Sequence, residues 1–172
     1  MSLQGKKCIV SGANRGIGLE IAKCLKSSGA SVIGIDLSDD QKEVPVLLAD
    51  VTKQDEVEDV GFAIEKTFGA VDVLVNCAGI TITSNNDLYS YEDWQKTLDV
   101  NLTGAFLLTN RMFSLLSRSN RSSIVNITSL NASLGFPNNP AYVASKTGLL
   151  GLSRSWAVDW GKYNIRSNCV SP

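Results

Sequence analysis

One feature constrains this chain above the rest: short apolar runs rich in β-branched residues alternate with longer stretches of helical pattern. The runs are Cys8–Ser11, Ser31–Asp36, Val46–Ala49, Val71–Asn76, Ser123–Thr128 and Ile165–Val170. The helical stretches are Gly16–Ser28, Asp55–Phe68, Tyr91–Leu116 and Tyr142–Lys162. Strands that are apolar almost throughout bury both faces, as the strands of parallel sheets do. Strand then helix, repeated, predicts an α/β fold with a doubly wound parallel sheet and helices on both faces. Leu37–Pro45 joins the second and third strands and is barely long enough for a crossover, which predicts a loop or a single helical turn there. No repeat, low-complexity tract or linker interrupts the pattern, so residues 1–172 read as one domain.

Composition removes several kinds of chemistry. The chain contains no histidine, which excludes a Ser-His-Asp triad, His-ligated zinc and imidazole acid–base catalysis. The formal net charge of −1 offers no basic excess for nucleic acid or an anionic membrane. No apolar run reaches the length that spans a bilayer. Cys8, Cys24, Cys77 and Cys169 are widely spaced and form no C-x-x-C pair, which predicts buried free thiols in a reducing cytoplasm.

Between the first strand and the first helix lies Ser11-Gly12-Ala13-Asn14-Arg15-Gly16-Ile17-Gly18. This is G-x-x-x-G-x-G, one residue longer than the usual dinucleotide fingerprint, but the physics is shared. Glycines let the backbone turn sharply and approach a pyrophosphate, and the helix N-terminus presents free N–H groups and partial positive charge. The turn predicts a nucleotide cofactor held by Gly12, Asn14, Arg15, Gly16, Ile17 and Gly18. Asp36 ends the second strand, 18 residues after Gly18. A carboxylate there accepts hydrogen bonds from both adenosine ribose hydroxyls and repels a 2′-phosphate. Arg15 pulls toward NADP, but Leu37 supplies no second cation, so NAD is expected over NADP.

Tyr142-Val143-Ala144-Ser145-Lys146 opens a helical pattern, and residues four apart share a helix face. The phenol and the ammonium can therefore enter one site, where the cation favours the phenolate that a tyrosine base requires. Ser129 follows the strand Ile124–Thr128, at a sheet carboxyl end where ligands bind in such folds. Its hydroxyl can hold a substrate carbonyl while Tyr142 supplies the proton.

Taken together, these blocks resemble the short-chain dehydrogenase/reductase family along essentially the whole chain. Gly12, Gly16 and Gly18 match its glycine turn, and Asp50-Val51 its acidic pair after the third strand. Asn76-Cys77-Ala78-Gly79 is similar to its N-N-A-G turn, Asn101 to the asparagine of its long central helix, and Ser129, Tyr142 and Lys146 to its catalytic trio. The resemblance implies a Rossmann-like fold with six of an expected seven strands, and hydride transfer between NAD(H) and a secondary alcohol or ketone. It implies Tyr142 as acid or base, Ser129 as carbonyl holder, and Lys146 as ribose clamp and tuner of the phenol. Asn101 would bend its helix and hold a water in a proton relay, and Asp50 would meet the adenine. Cys77 stands where the family more often has a second asparagine, so that position is expected to work through its backbone.

The segment after Ser129 is expected to wall the substrate pocket, and Asn131 and Ser133 there point to a hydroxylated substrate such as a sugar acid or polyol. A 3-oxoacyl thioester is the alternative, and a non-catalytic NAD-binding scaffold the alternative of another class. Small and apolar residues on the two long helices (Ala105, Phe106, Ala144, Gly148, Gly151 and Ala157) predict a homodimer or homotetramer. The resemblance also implies that the chain stops short of a seventh strand and a substrate lid, leaving the domain incomplete at its C-terminus.

Overall fold

Residues 2–84 and 88–172 are described in a computed structural model of the chain. Strands β1 (Lys7–Ser11), β2 (Ser31–Asp36), β3 (Val46–Leu48), β4 (Val73–Asn76), β5 (Ser122–Ile127) and β6 (Ile165–Val170) form one sheet in the order β3-β2-β1-β4-β5-β6. Every neighbouring pair is parallel. The crossovers carry α1 (Gly16–Ser27), α2 (Gln54–Phe68), α3 (Tyr91–Leu98) with α4 (Gly104–Ser117), and α5 (Pro140–Trp160). The β2–β3 connection is a loop without helix. This is the doubly wound, Rossmann-like arrangement, with its strand order reversing between β1 and β4.

Strand alternation divides the core. Ile9, Ile33, Leu74, Ile124 and Ile165 point to the face covered by α2 and α4, where they pack with Val57, Ile64, Leu108, Met112 and Leu116. Cys8, Val10, Val32 and Val75 point to the opposite face and meet Ala22, Ile21 and Leu25 of α1. A third cluster, Ala105 with Leu149 and Trp156, joins α4 to α5. At about 1.5–3 kcal/mol for each fully buried large apolar side chain, the first cluster is the largest favourable contribution.

Local chemistry sets the boundaries. Ser90 caps α3 by accepting from the Asp93 N–H at 3.0 Å, and Gly69 ends α2 in the left-handed conformation (φ 69°). Pro140 starts α5 two residues before the expected position, because its fixed φ suits the first helical position and its missing N–H costs nothing there.

The expected single helix Tyr91–Leu116 is interrupted. Residues Asp99–Thr103 form a π-helical turn between α3 and α4. The wider turn lies at Asn101, whose amide is drawn to the backbone of Ile80: Nδ2 donates to the Ile80 carbonyl at 2.9 Å, and Oδ1 accepts the Ile80 N–H at 2.8 Å. The thiols also differ from expectation. All four are free, but only Cys8 is buried; Cys24 is exposed on α1, where its position falls outside the apolar stripe, and Cys77 and Cys169 are half-buried.

Candidate active site

The reversal of strand order opens a crevice at the carboxyl ends of β1 and β4, where open α/β sheets bind ligands. A cleft of about 1030 Å³ occupies it. Asp36, Asp50 and Val51 line it on the side of β2 and β3, Gly12, Arg15, Ile17 and Gly18 after β1, and Cys77, Ala78 and Gly79 after β4. Ser129, Tyr142 and Lys146 line the far end. The fold thus brings thirteen sequence-predicted residues, drawn from six separate segments, to one cavity. Asn14, Gly16, Asn76 and Asn101 do not line it.

The glycine turn is shaped by close approach. Gly12 has φ 69°, and a Cβ there would come within 2.9 Å of the Ala78 backbone. A Cβ on Gly18 would strike the Gly12 carbonyl oxygen. Arg15 precedes α1 in extended conformation and puts no side chain on the first-turn N–H groups, so the helix N-terminus stays open toward the cleft. The Asp36 carboxylate takes one backbone N–H on each oxygen, from Asn14 at 2.9 Å and Leu37 at 2.8 Å, and keeps further acceptor capacity. Open donors at one end and an anchored carboxylate beside them fit the pyrophosphate and ribose of a dinucleotide. Asp50 accepts the Thr52 N–H and hydroxyl on Oδ1, at 2.9 and 2.8 Å, which holds its other oxygen in place.

Lys146 is almost fully buried and donates to the Ile127 carbonyl at 2.8 Å. Its Nζ lies 5.6 Å from the Tyr142 ring centroid. Burial pushes the ammonium pKa down, and Cys77 beside it acts in the opposite sense. Burial likewise pushes the Cys77 thiol up, opposed by Lys146. The Cys77 and Ala78 N–H groups both reach Ser11 Oγ at 3.1 Å, so this turn is held through its backbone. Ser129 Oγ accepts the Asn131 N–H at 3.2 Å.

Asn76 and Asn101 sit behind the cleft wall. Asn76 donates to Thr109 Oγ1 and Asn126 Oδ1, both at 2.8 Å, and ties β4 to α4 and β5. Asn101 also donates to Ser145 Oγ at 3.1 Å, and Ser145 donates to the Tyr142 carbonyl at 2.8 Å, so the π turn is tied to the first turn of α5. Sequence reasoning missed Thr52, Ile80, Thr81, Tyr91, Gln95, Lys96 and Asp99, all of which line the cleft. Tyr91, Gln95 and Asp99 share a face by i, i+4 spacing, which was a visible signal, but nothing in their types pointed that face at the cleft. Asn131 and Ser133, expected on the pocket wall, do not line it. Asn131 belongs to a short 3-10 turn, Leu130–Ala132, and Ser133 caps its end; Thr147 Oγ1 pins the turn by donating to the Ala132 carbonyl at 3.1 Å.

The short chain dehydrogenase family profile matches residues 6–172. The chain belongs to the short-chain dehydrogenase/reductase family. It is 33% identical over 184 residues to a 3-oxoacyl-[acyl-carrier-protein] reductase of Thermotoga maritima, covering 100% of this chain and 75% of that protein. It is 30% identical to an NAD-dependent glycerol dehydrogenase of Listeria innocua, covering 99% and 71%. The ligand-free aldohexose dehydrogenase of Thermoplasma acidophilum superposes with a TM-score of 0.94 at 36% identity, covering 99% of this chain and 67% of that one. This short-chain dehydrogenase is accordingly an oxidoreductase acting on CH–OH groups, with a nicotinamide cofactor and a small-molecule alcohol or ketone as substrate. Among the described residues no helix is long and apolar enough to cross a membrane.

Proposed function

We propose that this single domain uses NAD in preference to NADP and transfers a hydride between it and a secondary alcohol or ketone, with Tyr142 as the acid or base. The observation that carries the reading is the convergence of Tyr142, Lys146 and Ser129 in the same cleft as the glycine turn and Asp36. The cofactor supplies or accepts the hydride. The chain's own residues do the rest. Gly12, Gly16 and Gly18 shape the turn that brings the backbone N–H groups of Arg15, Ile17 and their neighbours to the pyrophosphate. Asp36 accepts from the ribose hydroxyls, and its charge opposes a 2′-phosphate. Ser129 donates a hydrogen bond from its hydroxyl to the substrate oxygen, and Tyr142 exchanges a proton with that oxygen. Lys146, held by Ile127, places a cation beside the Tyr142 ring. Asn101 and Ser145 hold the Tyr142 turn against the segment 79–81. The glycerol dehydrogenase among the relatives is named as NAD-dependent, which agrees with Asp36.

Tyr142→Phe keeps the ring and removes the proton, so ketone-dependent NADH oxidation falls at least ~10²-fold with little change in cofactor affinity. Substantial residual turnover in the Phe variant sinks the assignment. Assays with a polyol panel and with a 3-oxoacyl thioester separate the two substrate readings, and both failing while NAD binds favours the scaffold. Four free thiols agree with a reducing, cytoplasmic setting.

We also propose a homodimer or homotetramer built on α4 and α5. The expected interface residues divide. Ala105 packs inside the chain against Leu149 and Trp156, and a Cβ on Gly148 would meet Leu102 at 2.9 Å. Phe106 and Gly151 are exposed, Ala144 and Ala157 are half-buried, and Val158, outside the expected set, is 81% exposed on α5. Phe106→Glu and Val158→Glu lower the sedimenting mass of the assembly; an unchanged mass removes this face as the interface.

A further inference from the structure

The side chain of Asn14 does not enter the cleft. It reaches the β2–β3 loop. Nδ2 donates to Ser38 Oγ at 2.8 Å and to Asp40 Oδ2 at 3.1 Å, while Oδ1 accepts the Asp40 N–H at 2.8 Å. Ser38 Oγ donates to Asp40 Oδ2 at 2.9 Å, which closes a small network. These hydrogen bonds lower the Asp40 carboxyl pKa, Ser38 first and Asn14 second, and so favour its charged form. The second half of the loop has other moorings: Lys26 Nζ donates to the Glu43 carbonyl, and the Gly34 N–H donates to the Pro45 carbonyl at 2.8 Å. Among the described residues, every hydrogen bond that joins positions 38–40 to a residue outside the loop goes to Asn14. The same residue's backbone N–H holds Asp36 Oδ2 at 2.9 Å.

We infer that Asn14 is a positioning residue for cofactor discrimination: its amide latches the acidic β2–β3 loop onto the glycine turn, so that Asp40 is held by the same residue whose backbone N–H holds Asp36, and its charge adds to the field that opposes a 2′-phosphate. This deepens, and rests on, the proposal that NAD binds here. Asp36 supplies the acceptors for the ribose hydroxyls. The latch keeps a second carboxylate close to it and keeps the loop ordered before the cofactor arrives. Unlatched, the loop is ordered only at binding, and its charge can swing away from an added phosphate. Asn14 thus acts through Asp40 and Asp36, without touching the cofactor by its side chain.

The test measures Kd for NAD⁺ and for NADP⁺ by calorimetry on the wild type, Asn14→Ala, Asp40→Asn and the double variant, with thermal midpoints recorded for each. Asn14→Ala weakens NAD⁺ about three- to tenfold, the scale of ordering one more flexible segment on binding. It also shrinks the NADP⁺-to-NAD⁺ ratio of Kd, which a loss of stability alone does not move. Asp40→Asn shrinks that ratio about two- to fivefold, the scale of an exposed charge interaction. Because Asn14 works through Asp40, the double variant is non-additive: once the latch is gone, removing the charge adds little. A wild type that prefers NADP⁺, or binds neither cofactor, overturns the NAD reading and the latch with it. A wild type that prefers NAD⁺ with an unchanged ratio in Asn14→Ala leaves the NAD reading standing and removes the latch. If Asn14→Ala does not fold, Ser38→Ala and Asp40→Asn carry the test, and unchanged ratios in both overturn the inference.

Discussion

Gly18→Ala separates helix propensity from tertiary packing, because the two predict opposite signs. Gly18 lies in the first turn of α1 and is buried. In an isolated helix, alanine there is worth about 1 kcal/mol over glycine. In the folded chain, the new Cβ is driven into the carbonyl oxygen of Gly12, a backbone atom that cannot rotate aside. Overpacking costs about 1–3 kcal/mol and occasionally more. A rigid backbone neighbour puts this site at or above the top of that range, so the net loss is about 2 kcal/mol, or roughly 30-fold in the folding equilibrium. Relief requires Gly12 and Ala13 to move, and these belong to the turn assigned to the pyrophosphate, so NAD⁺ affinity falls as well. Urea denaturation followed by far-UV circular dichroism, paired with NAD⁺ titration, reads both effects. A Gly18→Ala protein as stable as the wild type or more so, with unchanged affinity, would refute the claim that contact between Gly18 and Gly12 shapes the turn.

Asp72→Asn loosens the amino ends of β1 and β4, because Asp72 accepts from Lys6 Nζ at 2.7 Å, the Lys7 N–H at 2.9 Å and Ser119 Oγ at 2.9 Å; the expected cost is about 1–3 kcal/mol in urea denaturation. Burial raises the Asp72 carboxyl pKa, but those hydrogen bonds outweigh it and hold it below the ordinary 3.8, so the wild type loses this stabilisation as pH falls below that value and the variant shows a flatter acid limb. Cys8 is pushed by burial, and then by Asp72, up to about 12 from an ordinary 9.0. Between those values the unfolded thiol ionises while the folded one keeps its proton, so stability declines with rising pH, and Cys8→Ala lessens the decline; identical slopes in the two proteins would discount the buried thiol. In native buffer a thiol-reactive dye labels exposed Cys24 first and buried Cys8 only on unfolding, and rapid labelling of Cys8 would contradict the packing of β1.

Local patterning was enough for the architecture, since apolar runs and helical periods are short-range signals that tertiary contacts here reinforce. It placed each of the six strands to within two residues at either end and anticipated the loop after Asp36. The glycine turn, Asp36, Ser129, Tyr142 and Lys146 were legible because their chemistry depends on spacing along the chain, and the fold carries them to one cleft. What spacing could not tell was the direction in which a side chain leaves the backbone. Asn14 and Asn76 stand within glycine-rich turns that face the cleft, yet their amides bond to Asp40 and Asn126, partners 26 and 50 residues away. Asn101 widens its helix toward Ile80, and Tyr91, Gln95 and Asp99 become cleft wall only because α3 crosses the carboxyl end of the sheet. Those outcomes rest on contacts between segments far apart in the chain, and such contacts exist only once the sheet has assembled in its parallel order.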